Sequence, residues 1–149
     1  MQTVKTPFYQ LEIGGAESFI TYRGNGFAPR ALKGPVFEVD GKLLPPVFSS
    51  VALVSETKLN AAVTEYRFDA AYSAVPEMTL TLVVRVAKGS PVLKFRYLLS
   101  GDGSHKLTKD NGERLDYCTL SAGAGERLTE VRFSEFNELT HSFCTVSYT

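Results

Sequence analysis

The sequence predicts an all-β domain built as a two-sheet antiparallel β-sandwich, and three observations predict it. Between positions 77 and 100 the apolar residues fall on alternate positions: Met78, Leu80, Leu82, Val84 and Val86, then Leu93, Phe95, Tyr97 and Leu99 after a Gly89-Ser90-Pro91 turn. This period of two belongs to strands that bury one face. Strand-like segments recur at intervals of roughly ten residues with turn signals between them, the rhythm of a sandwich or barrel. No segment carries the apolar spacing of a long helix.

In chain order, strands are expected at 8–13, 18–23, 36–39, 42–44, 47–55, 60–71, 77–87, 92–100, 105–109, 114–120, 127–133 and 142–148. Asp40-Gly41 and Asn111-Gly112 each separate two such runs and supply the positive φ angles of a type I′ hairpin turn. Pro45-Pro46 and Val75-Pro76 mark strand boundaries, because proline cannot donate to a ladder. Ser134-Glu135-Phe136-Asn137-Glu138-Leu139 is the one helical competitor. It is too short for an independent helix and reads as a bend or a single turn. No internal repeat or low-complexity linker divides the chain, so one domain is expected.

The 149 residues are enough for a sizeable core, and 44% apolar with 21% charged residues is an ordinary globular composition. Sixteen basic and sixteen acidic residues cancel without any basic run, which argues against nucleic acid and anionic membranes as partners. No apolar run approaches a membrane span, and Met1 to Thr6 lacks the apolar stretch of a signal peptide. A chain starting after a cleaved signal looks the same, so the compartment stays open. Cys118 and Cys144 read as two buried thiols, with a disulfide as the less favoured alternative.

The polar motifs point to structure more than to chemistry. Glu138 and His141 have the E-x-x-H spacing of helical metal sites but lack the second copy such sites need. His105 lies at the edge of a loop with no ligand-spaced companion. Gly101-Asp102-Gly103 and Gly123-Ala124-Gly125 read as turns, since neither opens a helix in a βαβ unit. Ser121 lacks the frame of a nucleophile elbow. Glycoside cleavage needs two carboxylates flanking the substrate, and Asp40, Asp69, Asp102, Asp110 and Asp116 are accounted for by hairpins and turns. Glu65, Arg67 and Asp69 alternate with Thr64, Tyr66 and Phe68 as a solvated strand face, and Arg85, Lys94 and Arg96 repeat the pattern on the next strands. The ten Phe and seven Tyr come without any Trp, which weakens the case for a free-standing sugar-binding platform.

The segments Leu93 to Ser100 (LKFRYLLS), Gly101 to Lys109 (GDGSHKLTK), Gly112 to Tyr117 (GERLDY) and Leu128 to Ser142 (LTEVRFSEFNELTHS) resemble the amino-terminal domain of family 36 glycoside hydrolases, the α-galactosidases and their raffinose-synthase-like relatives. The resemblance implies a supersandwich of the galactose-mutarotase type, set before a separate catalytic (β/α) barrel that carries the catalytic aspartates. That barrel's lysine-x-aspartate strand is missing here, and a barrel needs about 250 residues. The chain is therefore expected to be non-catalytic, with no cofactor or metal. It would cover the barrel of its parent protein, add to subunit contacts in a homo-oligomer, and help form the site for a galactoside. The chain stops within strand-like sequence at Thr149, as an excised fragment would, and Phe133, Phe136 and Phe143 are expected at the interface with the next domain. Two rivals remain: a stand-alone carbohydrate-binding module, and a mutarotase-like enzyme using His105, His141 and a glutamate as acid and base.

Overall fold

The computed structural model describes residues 1–15, 18–26, 28–108 and 118–120. They form an all-β, antiparallel structure of eleven strands: β1 (Gln2–Lys5), β2 (Tyr9–Ile13), β3 (Ile20–Gly24), β4 (Arg30–Lys33), β5 (Phe37–Val39), β6 (Lys42–Leu44), β7 (Phe48–Lys58), β8 (Val63–Tyr72), β9 (Met78–Ala87), β10 (Lys94–Gly101) and β11 (Thr119–Leu120). One sheet has the order β1-β2-β3-β4-β11, the second has the order β10-β9-β8-β7, and β5-β6 is a separate hairpin. β1–β4 and β7–β10 are meanders, as expected where short turns join neighbouring strands, whereas β11 pairs with β4 from a distant part of the chain.

The core lies where the sheets meet. Leu11, Ile13 and Ile20 from the first sheet and Phe68, Ala70, Tyr72, Leu80, Leu82 and Val84 from the second are all at or below 1% exposure. Phe19, Phe48 and Tyr72 carry the contact across the seam, with ring centroids 4.7 Å apart for Phe19 and Phe48 and 4.9 Å for Phe48 and Tyr72. Tilted rings at such spacing add attraction beyond the area they bury. Two glycines allow close approach at this end. A side chain at Gly14, whose φ is +80°, would meet Val51 Cβ at 2.8 Å, and one at Gly34 would meet Pro46 Cβ at 2.8 Å.

Local chemistry sets the element limits. Asp40 (φ 51°) and Gly41 (φ 74°) both take the left-handed conformation, as a type I′ turn between β5 and β6 requires. The run expected from 60 starts instead at Val63, because Asn60 Oδ1 accepts from the amides of Ala62 and Val63, 2.9 Å each, and closes a turn. β7 continues past the expected end at 55 to Lys58, and its register with β8 shifts between Phe48 and Ser50 and between Leu53 and Ser55. Such bulges are common on edge strands.

The expected strand at 105–109 is corrected over its described part. Residues 105–108 make only an isolated bridge, Leu107 to Val39, because hydrogen bonds to the Asp40 turn draw the segment across the hairpin. Strands β1 and β4 lie outside every expected run. The Asn111-Gly112 hairpin, the strands at 127–133 and 142–148 and the turn at 134–139 lie outside the described residues, as do Phe133, Phe136 and Phe143.

Candidate functional site

Polar residues gather at three places among the described residues. The first is the outer face of the four-stranded sheet. Its register sets Glu65 beside Arg85 and Arg85 beside Lys94, while Arg67 pairs with Val83 and Val83 with Arg96. Side chains on alternate positions share a face, so these residues make two adjacent rows. Glu65 is not solvated as its sequence context suggested: its side chain is 6% exposed. Oε1 accepts from Arg67 (Nε, 3.0 Å) and Oε2 from Arg85 (Nε, 2.8 Å). The hydrogen bonds from Arg85 and then Arg67 hold its carboxyl below the usual range. Beside this clamp lies a groove of about 190 Å³, lined by Val83, Arg85, Lys94, Phe95 and Arg96.

The second place is the tip of the β5–β6 hairpin. Asp40 Oδ2 lies 2.7 Å from His105 Nδ1, and Asp40 Oδ1 accepts from the Lys106 amide at 2.9 Å. Backbone bonds from Asp40 N to Lys106 O (2.9 Å) and from Thr108 N to Glu38 O (2.8 Å) complete the tie. Glu77 Oε2 lies 3.9 Å from His105 Nε2. The Asp40 hydrogen bond raises the His105 pKa, and the same bond together with the Lys106 amide lowers that of Asp40. Nδ1 is thus committed to Asp40, which orients the ring and stabilises its protonated form. Asp102 takes the Ser104 amide at 2.9 Å in a turn of its own.

The third place is a cleft of about 530 Å³ at one end of the sandwich, lined by the β2–β3 turn, the end of β4 and the start of β7. Phe19, Phe48 and Val51 form its apolar wall, and Ser18 and Lys33 bring polar groups to it. Its volume suits a small ligand, and its described lining carries no carboxylate.

The structure therefore gives His105 companions from distant parts of the chain, Asp40 and Glu77, that no local spacing announces. His141, Glu138 and Ser121 lie outside the described residues, as does Cys144. Cys118 is a half-buried free thiol whose pKa burial raises. Among the described residues no group of three or more His, Cys, Asp or Glu is placed to hold a metal ion. No family model, no curated protein and no solved structure matches the chain.

Proposed function

We propose that the chain is the non-catalytic amino-terminal β-sandwich domain of an α-galactosidase-like glycosidase, packing on a catalytic (β/α) barrel and aiding assembly or formation of the sugar site. The likeness of residues 93–109, 112–117 and 128–142 to family 36 domains motivates the glycosidase part of this reading. The observation that carries the packing part is β7. This long strand is an edge among the described residues, and it leaves Leu53 and Val54 at 42% and 53% exposure, with Val47 beside it at 58%. A long edge with exposed apolar side chains is a liability unless another surface covers it. Five of the described carboxylates, Glu12, Asp40, Glu65, Asp69 and Asp102, are each bonded to a partner within the fold, which supports the same reading.

The test is the coding sequence downstream of Thr149 and the assembly of its product. A barrel with an aspartate nucleophile is expected there, with α-galactoside hydrolysis by the whole protein. Changing Leu53 and Val54 to lysine should then weaken packing of the domain on the barrel while leaving its own fold intact. A stop codon directly after Thr149 in the native gene overturns the proposal. The end cleft favours the second reading, a stand-alone carbohydrate-binding module. Titration with galactosides checks it through shifts at Phe19 and Phe48, and neither heat nor shift at millimolar ligand would remove it.

A further inference from the structure

We infer that the groove between β9 and β10 on the outer sheet face binds a small tetrahedral oxyanion, the phosphate or sulfate group of a free ion or of an ester. The inference does not depend on the glycosidase reading.

It starts from the register. Lys94 lies directly opposite Arg85, and Arg96 lies two positions along the same face, opposite Val83. Like charges directly opposite one another on a sheet face repel, and a fold with no use for them has no reason to keep them there. Four cations, Arg67, Arg85, Lys94 and Arg96, share these two rows with a single carboxylate, Glu65. The next carboxylate on the face, Asp69, sits in the following row and accepts from Thr81 Oγ1 at 2.6 Å. Lys94 and Arg96 are exposed and make no ion pair among the described residues. The face therefore carries an excess of positive charge concentrated at the groove.

Glu65 supplies what a loose basic patch lacks. It is buried, and it holds Arg67 and Arg85 by hydrogen bonds from Nε. Arg67 is held through Nη2 as well, at 2.9 Å, whereas Arg85 is held through Nε, and its terminal amino groups donate no other hydrogen bond among the described residues while Arg85 lines the groove. A guanidinium held in place loses little freedom when it binds an oxyanion, and its paired N–H groups match oxyanion geometry. Lys94 and Arg96 add charge from the opposite wall, and Val83, only 2% exposed, forms a dry floor between the rows. A bound oxyanion would sit between Arg85, Lys94 and Arg96 and offset the repulsion the register imposes.

The test is titration of the chain with inorganic phosphate, inorganic sulfate and a phosphorylated monosaccharide. Ionic strength is held constant with chloride, and amide shifts are followed by NMR. Saturable shifts at residues 83–85 and 94–96 are expected. The Lys94→Gln/Arg96→Gln variant, whose two side chains make no hydrogen bond or ion pair among the described residues, should weaken binding about tenfold or more. Its remaining spectrum should be unchanged, and Lys42→Gln on the β5–β6 hairpin should bind as the parent does. Tighter binding of the sugar phosphate than of inorganic phosphate identifies an ester as the ligand, while equal binding identifies the ion. Shifts that chloride reproduces, that fail to saturate, or that survive in the double variant overturn the inference.

Discussion

The two sheets share one core but are built to different standards. The sheet β7–β10 has strands of eight to eleven residues, and β9 alternates buried and less buried positions almost without break. The sheet β1–β4 with β11 uses strands of two to five residues, and its first and fourth members each bury one side chain, Val4 and Leu32. Long strands supply continuous apolar rows, and their second face is left free to hold charge. The cationic rows and the Glu65 clamp sit on that second face of the longer sheet. The shorter sheet contributes covering surface and a wall of the end cleft.

The sharpest way to break this comparison is to empty the core from each side. Phe68 in β8 is 1% exposed and Leu32 in β4 is 8% exposed. Phe68→Ala should destabilise by about 3–5 kcal/mol and Leu32→Ala by nearer 2 kcal/mol in urea denaturation. Equal losses would mean that the short strands carry as much of the core as the long ones.

A second, smaller effect probes the seam between the sheets. Gly14→Ala places a methyl against Val51 and forces a non-glycine residue to φ +80°. A loss of about 1–3 kcal/mol is expected. Adding Val51→Ala should recover the part due to the clash and leave the backbone part. Full recovery would show that the positive φ is harmless there, and no recovery would show that Val51 is not the limiting contact.

This contrast also decides what the sequence reveals. In β9 and β10 every second residue is apolar over a long run, so Met78 to Leu99 announce two strands unaided. The Asp40-Gly41 turn is equally legible, since few residue pairs accept two positive φ angles. β1 and β4 escape notice because Gln2-Thr3-Val4-Lys5 and Arg30-Ala31-Leu32-Lys33 each offer one strongly buried residue, too few to define a period. The burial of Glu65 is hidden for a different reason. Its neighbours in sequence read as a wet face, and only the pairing register brings Arg85 to it across a hairpin. Pairing of Lys94 with Arg85 depends likewise on how the Gly89-Ser90-Pro91 turn is closed, which alternation alone does not set.

Tyr72 tests the longer sheet's interior more gently. Its ring is fully buried and its hydroxyl has no hydrogen-bond partner among the described residues, while burial raises its pKa. A buried hydroxyl without a partner opposes folding, so Tyr72→Phe should be neutral or should stabilise by about 1 kcal/mol, read as a higher denaturation midpoint. Tyr9 in β2 likewise has a buried hydroxyl with no hydrogen-bond partner among the described residues. Tyr9→Phe should act alike, and destabilisation by either change would reveal a polar contact at that ring.

The smallest expected effect is confined to the β5–β6 hairpin, which belongs to neither large sheet. The His105 pKa is raised by its hydrogen bond to Asp40, so this stabilisation is complete below the unfolded value of about 6.5 and is lost as pH rises through the folded value above it. Asp40 is lowered by the same bond and by the Lys106 amide. Its share is complete above about 3.9 and is lost as pH falls through the folded value below that. The tie between the hairpin and residues 102–108 should therefore be tightest between about pH 4 and 6.5 and loosen above it. Hydrogen exchange at the Lys106 and Thr108 amides, corrected for its intrinsic pH dependence, should quicken above neutral pH while exchange in β8 and β9 does not. His105→Gln should remove that pH dependence. If β8 and β9 respond together with residues 106 and 108, the hairpin is coupled to the main core, and the division of the molecule into a load-carrying long sheet and lighter covering elements fails.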